Sequence, residues 1–117
     1  IVSMWETHLG VKVNIEVSEG GWVYVDRLKT SMPDIYQLGW GADYNDPDNF
    51  LKTLFHSNAE FNFGRFNNRE FDRLVDEAAN LNNPEERQLL YIQAEQILTE
   101  QEAGVIPLYH TLYYLQP

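Results

Sequence analysis

The densest group of side chains that could do chemistry lies in residues 39–51, which read GWGADYNDPDNFL. Three carboxylates, Asp43, Asp46 and Asp48, invite a calcium site, because Ca²⁺ takes several oxygen ligands from one loop. The standard calcium loop needs a glycine at its sixth position and a glutamate at its twelfth, and neither Asp43 nor Asp46 begins such a loop. Asp46 and Asp48 are therefore predicted to cap a helix that has Pro47 at its first position.

Trp40 and Asp43 follow residues 35–40, a nearly all-apolar run that predicts a strand buried on both faces. Ligands of open α/β sheets collect at the carboxyl ends of strands, so binding residues are expected at this point. Asp43 can pair with an ammonium group, and Trp40 offers a rigid apolar or cation–π wall. The alternative is structural, with Trp40 in the core and Asp43 in a turn.

The sequence offers no other reactive arrangement. It contains no Cys, which excludes disulfides and thiolate nucleophiles. His8, His56 and His110 stand far apart and match no metal-ligand spacing. No serine lies in a nucleophile elbow, and no glycine loop resembles a phosphate cradle. We therefore expect a protein without catalytic activity, cofactor or metal.

Length and composition favour one folded domain. The chain has 117 residues, of which 44% are hydrophobic, and it can bury a core. No apolar run approaches the roughly 18 residues of a membrane span. A formal net charge of -10 would repel phosphates and anionic lipids, so nucleic acid and membrane surfaces are poor partners. A cationic or zwitterionic ligand fits better, although acidic surfaces also serve solubility.

The N-terminal part is predicted to be a strand–helix–strand unit preceded by a short helix. Residues 1–9 suit a helix that ends at Gly10, and residues 11–17 alternate apolar and polar side chains as a half-buried strand does. A second helix is predicted over 22–29 and a second strand over 35–40. Two strands joined by such a helix imply a right-handed parallel crossover.

Three helices with clear start signals are predicted next, beginning with the one capped by the acidic segment above. The second starts at the capping box of residues 67–70, where Phe66 can staple onto Phe71. The third opens at residues 83–86 with proline at its first position and ends near Gly104. The apolar stripe predicted for the first of these helices comprises Phe50, Leu51, Leu54 and Phe55.

These elements are predicted to form a single domain over residues 1–117. It comprises an α/β unit (1–41), a helical part (42–104) and a short returning strand (105–117). Pro107 cannot donate a ladder hydrogen bond, which places the last strand at a sheet edge.

Several linked motifs resemble one known family, the extracellular solute-binding proteins, family 5, which include the oligopeptide- and dipeptide-binding components of ABC importers. The resemblance covers essentially the whole chain. It implies an α/β fold of the type II periplasmic-binding-protein-like class, of which this chain would form the C-terminal portion of one lobe. The matching segments are Trp5 with LGVKV (9–13), GWxADYxDPxxFL (39–51), NxxEFDxL (67–74), ERxxxYxxAExIL (86–98) and IPLY (106–109).

The resemblance implies an extracytoplasmic substrate-binding component, periplasmic or lipid-anchored at the cell surface. It would enclose a peptide between two lobes and deliver it to an ABC permease. In peptide-binding members, the residue matching Asp43 pairs with the peptide's amino terminus and the residue matching Trp40 lines the pocket. Gly41, through its backbone, and Tyr44 complete the predicted ligand-binding set. Asp46 matches the family's helix start, where an architectural role is expected.

Two other functions remain open. In an oligosaccharide receptor of the same fold, Trp40 and Tyr44 would stack on sugar rings and Asp43 would accept hydroxyl hydrogen bonds. In a hydrolase domain, Asp43 and Asp46 would divide acid and base roles. For the isolated chain we also expect self-association, because an uncovered sheet edge favours pairing.

Overall fold

The computed structural model describes residues 1–110, and it contains five α-helices and one π-helical turn in that range. The chain divides into two compact units, Ile1–Tyr36 and Gln37–Pro117. The helices are α1 (Val2–Leu9), α2 (Gly21–Thr30), α3 (Asp48–Phe55), α4 (Arg69–Asn80) and α5 (Pro84–Gln96), and the π-helical turn is Ile97–Gln101.

The first unit contains α1 and α2. Helix α1 ends as predicted at Gly10, whose φ of 65° is left-handed and therefore suits glycine. Helix α2 confirms the predicted second helix, and its Arg27 forms an ion pair with Glu16. Leu28 is the only buried side chain of this unit. A single buried residue gives the unit little apolar core.

The strand predictions are not confirmed, since none of the described residues belongs to a strand. Residues 11–17 and 35–40 have no regular secondary structure, and Ile15 and Val17 are 68% and 88% exposed. A strand obtains its backbone hydrogen bonds from a neighbouring strand, and no described segment supplies one. The parallel crossover is therefore absent from the described chain. The returning strand is not formed at 105–110, and its remaining residues lie outside the described range.

Helix α5 begins at its predicted cap, whereas α4 begins one residue later than the capping box of residues 67–70 predicts. The Asn68 side chain accepts hydrogen bonds from the backbone N–H groups of Glu70 and Phe71, both at 3.0 Å. The Asn83 side chain does the same at the start of α5, where proline occupies the first turn. These bonds satisfy N–H groups that a helix start leaves without intrahelical partners.

The core of the second unit lies between α3, α4, α5 and the π-helical turn. Phe66 packs edge-on against Phe71 with 5.1 Å between ring centroids, which confirms the predicted staple. A Cβ on Gly104 would lie 2.7 Å from a Phe66 ring carbon, so this close approach requires glycine. The buried core residues are Leu51, Phe71, Leu74, Val75, Ala78, Tyr91, Ala94, Ile97 and Leu98.

The apolar stripe predicted for α3 is partly wrong. Phe50 is 42% exposed, whereas its neighbour Asn49 is 2% exposed. Leu51 is buried as predicted. No helix among residues 1–110 is long and apolar enough to cross a membrane.

Candidate functional site

The candidate site is the loop of residues 40–47, which leads into α3 within the second unit. The start of α3 is built by Asp46, whose Oδ1 accepts a hydrogen bond from the backbone N–H of Asp48 at 2.9 Å. The helix begins at Asp48 with Pro47 as its N-cap residue and without a side-chain cap hydrogen bond. The prediction of Asp46 as the cap and Pro47 as the first helical residue is therefore one position too early, although Asp46 does bond to the first N–H of the helix. A helix that packs into the core gives firm support to the loop that precedes it.

Trp40 is anchored at both its polar and its apolar parts. Its indole Nε1–H donates to Asn49 Oδ1 at 2.8 Å. Its ring packs against Phe61, with 5.0 Å between centroids and a tilt of 55°. Since the N–H is already used, a ligand would meet Trp40 through the remaining ring surface.

The backbone of Asp43 bonds to the same Asn49 side-chain oxygen as the Trp40 indole. Its N–H donates to Asn49 Oδ1 at 3.2 Å, while its side chain is exposed. Within residues 1–110 the Asp43 carboxylate makes no hydrogen bond or ion pair. The loop therefore presents an unpaired negative charge that a cation could bind, and the backbone that carries it is held by Asn49 of α3.

The other two predicted site residues differ in character. Gly41 is exposed, and a Cβ there would meet nothing within 4 Å, so no internal contact of the chain requires glycine at this position. Tyr44 is 48% exposed, and its hydroxyl donates to Asp48 Oδ2 at 2.8 Å. The structure thus brings Trp40 and Asp43 together on Asn49, while Tyr44 is turned towards the first residue of α3.

Asp46 is committed to a structural ion pair. Both of its carboxylate oxygens bond to Arg87, with Nη2 at 2.9 Å from Oδ1. Arg87 also donates from Nε to the carbonyl of Ala78, at 2.9 Å, and from Nη2 to the Tyr91 hydroxyl, at 3.1 Å. One guanidinium therefore joins the start of α3, the end of α4 and the body of α5.

The ion pair changes the acidity of its members. Arg87, mainly through its hydrogen bonds, holds the pKa of Asp46 below its ordinary value, although burial acts in the opposite direction. Asp46 in turn raises the pKa of Arg87. A carboxyl that stays ionised in this way cannot donate a proton near neutral pH, which argues against Asp46 as the acid of a hydrolase.

A second polar cluster lies between the end of α3 and α4. His56 Nε2 lies 3.5 Å from Asp76 Oδ2, and its Nδ1 accepts a hydrogen bond from the Asn58 backbone N–H at 3.1 Å. Lys52 pairs with Asp76 at 2.9 Å, and this hydrogen bond is the main reason that the pKa of Asp76 lies below its ordinary value. These groups line an open cavity of about 460 Å³ that also reaches Phe61.

This cluster does not form a catalytic or metal centre. The Ser57 hydroxyl donates to Asp72 Oδ2 at 2.6 Å, so its partner is a carboxylate and no imidazole activates it. Over residues 1–110, no group of three or more His, Asp or Glu side chains is arranged to hold a metal ion.

Three residues of the site and its support escaped the sequence analysis: Asn49, Phe61 and Arg87. Asn49 occupies an unassigned position of the motif. Its helix also contains Asp48, Lys52 and Thr53, so a polar residue there is no signal of a buried contact. The partners of Phe61 and Arg87 are distant in sequence, and no local pattern indicates them.

Comparison with known proteins decides the kinship of the chain. The sequence profile of the bacterial extracellular solute-binding proteins, family 5 (middle region), matches residues 1–62, which is more than half of the chain. The chain belongs to this family. The sequence prediction of a family-5 solute-binding protein is confirmed.

Individual relatives support the assignment over almost the whole chain. The periplasmic murein peptide-binding protein MppA of Escherichia coli is 38% identical over 93% of this chain, and heme-binding protein A of Haemophilus influenzae is 41% identical over 96%. A solved structure of the MppA tripeptide-binding protein, in its unliganded open form, superimposes with a TM-score of 0.77 at 37% identity, covering 87% of this chain. The chain spans about a fifth of the length of these relatives, 20% of each sequence and 19% of the solved chain.

The structural match also supports the predicted fold class at a coarse level. The neighbour is a periplasmic binding protein, so this family-5 chain shares that fold over the aligned part. The predicted strands are not confirmed, because none of the described residues belongs to a strand.

Proposed function

We propose that this family-5 chain is part of the extracytoplasmic, non-enzymatic binding component of an ABC importer, and that the ligand is a peptide held by its amino terminus. Family membership and the names of the relatives, which include a murein peptide-binding protein, support this class of function. The relative named as a heme-binding protein means that kinship alone does not select the ligand. The choice of a peptide therefore rests on the chemistry of the loop.

The exposed carboxylate of Asp43 is the observation that carries the proposal. It has no partner among residues 1–110, yet its backbone is fixed to Asn49. A peptide's ammonium group complements this charge, and the pair gains strength when ligand enclosure removes water. Loss of one partner of such a desolvated pair costs about 2–4 kcal/mol.

The neighbours of Asp43 have supporting parts in the proposal. Trp40 supplies an apolar wall beside the charge, because its ring is anchored on Phe61. Gly41 leaves room for a ligand to approach the backbone, and Tyr44 adds a half-exposed ring. The full-length protein would deliver its peptide to a membrane permease from the periplasm or from the cell surface.

Calorimetry on the full-length protein tests the proposal. Trialanine is titrated into wild type, Asp43→Asn and Asp34→Asn. Asp34 is the matched control, since it is also an exposed loop aspartate and the substitution changes the charge equally. We expect Asp43→Asn to weaken binding by about 30-fold or more and Asp34→Asn to leave it unchanged.

N-acetyl-trialanine gives the complementary result, because acetylation removes the ammonium charge from the ligand. Wild type should bind it much more weakly than trialanine, and Asp43→Asn should reduce the difference. Equal affinity of wild type and Asp43→Asn for trialanine would overturn the assignment. Binding of oligosaccharides in place of peptides, measured in the same calorimeter, would favour the stacking alternative based on Trp40 and Tyr44.

A further inference from the structure

Asn49 is the only buried polar side chain among the residues that the structure describes. Burying an amide costs free energy unless its hydrogen-bonding groups find partners. Here the partners are both in the candidate loop: the indole N–H of Trp40 at 2.8 Å and the backbone N–H of Asp43 at 3.2 Å. The side-chain oxygen of Asn49 thus bonds to two residues of the loop.

We propose that Asn49 is a positioning residue of the ligand site, fixing the Trp40 ring and the Asp43 backbone relative to each other through one oxygen atom. The inference rests on the proposed function, because it assigns Asn49 a part in the same site. Asn49 itself is buried and would touch no ligand.

The position of Asn49 on α3 makes it suited to this task. Leu51, two residues further along α3, belongs to the core that α3 shares with α4 and α5. The loop of residues 40–47 has no ladder hydrogen bonds, and helical ones reach only its last two residues, Asp46 and Pro47. Because α3 is packed in the core, a hydrogen-bond acceptor on this helix restrains the conformation of the loop. A preordered loop loses less conformational entropy when it binds a ligand.

The chemistry of the contact is specific enough to test. Both donors are N–H groups, so position 49 must supply an acceptor. Asn49→Asp keeps an oxygen in the same place. Asn49→Leu keeps the approximate volume and removes the acceptor, which leaves two N–H groups without their partner. Because Asn49→Asp also keeps the shape of the side chain, the exchange rate of the Trp40 indole N–H, which reports the hydrogen bond directly, is what separates a positioning role from a loss of packing.

The first measurement is ligand-free NMR of the ¹⁵N-labelled chain. The sequence contains three Trp residues, and Trp40→Phe assigns the indole N–H signal of Trp40. This proton should exchange slowly with solvent in wild type and in Asn49→Asp, and at least about tenfold faster in Asn49→Leu. Asn67→Leu, which replaces an exposed asparagine, serves as the control and should leave the signal unchanged.

The second measurement is calorimetry of the full-length variants with trialanine and N-acetyl-trialanine. Asn49→Leu should bind trialanine about tenfold more weakly and discriminate less between the two peptides, while Asn49→Asp retains most of the wild-type preference. If Asn49→Leu does not fold, Trp40→Phe tests the contact from the donor side, since it keeps an aromatic ring and removes the N–H.

The outcomes separate this inference from the proposed function. Slow exchange of the Trp40 indole in Asn49→Leu, or an unchanged trialanine affinity in that variant or its Trp40→Phe substitute, would overturn the positioning role. Unchanged trialanine affinity in Asp43→Asn would overturn the amino-terminus contact. If the indole exchanges rapidly in Asn49→Leu and Asp43→Asn binds trialanine as wild type does, Asn49 holds the loop in place but has no role in binding.

Discussion

Asp46 uses one carboxylate for two contacts of different kinds. Its Oδ1 accepts a hydrogen bond from the N–H of Asp48, the first residue of α3, and both oxygens bond to Arg87, which also contacts α4. The two side chains are 22% and 27% exposed, so solvent screens this pair less than a fully exposed one. The pair therefore stabilises the second unit and keeps the base of the candidate loop in place.

We expect Asp46→Asn to destabilise the chain by about 1–2 kcal/mol at pH 7, since the charge-assisted bonds to Arg87 are lost. The folded-state pKa of Asp46 is lowered, so its stabilising effect is complete above about pH 4 and is lost as the pH falls towards the folded value. The difference between wild type and Asp46→Asn should therefore shrink on acidification. Urea unfolding between pH 7 and pH 2, followed by circular dichroism, measures it.

Asp43→Asn is the matched control for this prediction. It makes the same change of charge three residues away, on a carboxylate without a partner among residues 1–110, and should alter stability by less than about 0.5 kcal/mol. A constant difference between wild type and Asp46→Asn over the whole pH range would show that the ion pair with Arg87 is not the source of the effect.

The sequence indicates Trp40 and Asp43 as candidate site residues, but it does not indicate the residues that hold them. Trp40 and Asp43 stand in a recognisable motif, so their type and position were sufficient to select them. Asn49 and Arg87 act through contacts with residues that only the folded chain brings near. A single sequence contains the donors and acceptors of such contacts, but it does not contain their distances.

At the scale of elements, the helices could be predicted and the strands could not. A helix satisfies most backbone groups within its own segment, and its start is marked by caps such as Asn68 and Asn83. A strand depends on partners elsewhere in the chain. Residues 11–17 have the alternating pattern of a strand, but the described residues provide no neighbour to pair with. The alternating pattern shows that the segment could form a strand, but a strand forms only when a partner strand is available.

The cap of α4 leads to a prediction about this helix. Asn68→Ala removes the acceptor for two N–H groups and also the bond from Asn68 Nδ2 to Glu102 Oε1, which measures 3.1 Å. We expect a loss of about 1–2 kcal/mol in the free energy of unfolding, measured by urea denaturation. Asn67→Ala, at the exposed neighbouring position, should cost less than about 0.5 kcal/mol. Equal losses in both variants would contradict the capping role.

At the scale of the whole molecule, the apolar side chains are unevenly covered. The extended core belongs to the second unit, whereas residues 1–36 bury only Leu28 and expose Trp22, Ile15 and Val17 at 78%, 68% and 88%. Large exposed apolar side chains in one region favour association, because contact with another molecule removes them from water. The net charge of -10 opposes association, and salt weakens that repulsion.

We therefore predict that the 117-residue chain self-associates as its concentration and the salt concentration rise, with light scattering after size exclusion as the measurement. Ile15→Lys combined with Val17→Lys should shift the chain towards monomer, because it charges the exposed apolar positions. Asn14→Lys combined with Glu19→Gln raises the net charge equally and leaves those positions apolar, so it should have a smaller effect. Equal reduction by both pairs would show that the apolar side chains of Ile15 and Val17 are not the source of association. A monomer at every concentration and salt level would contradict the prediction outright.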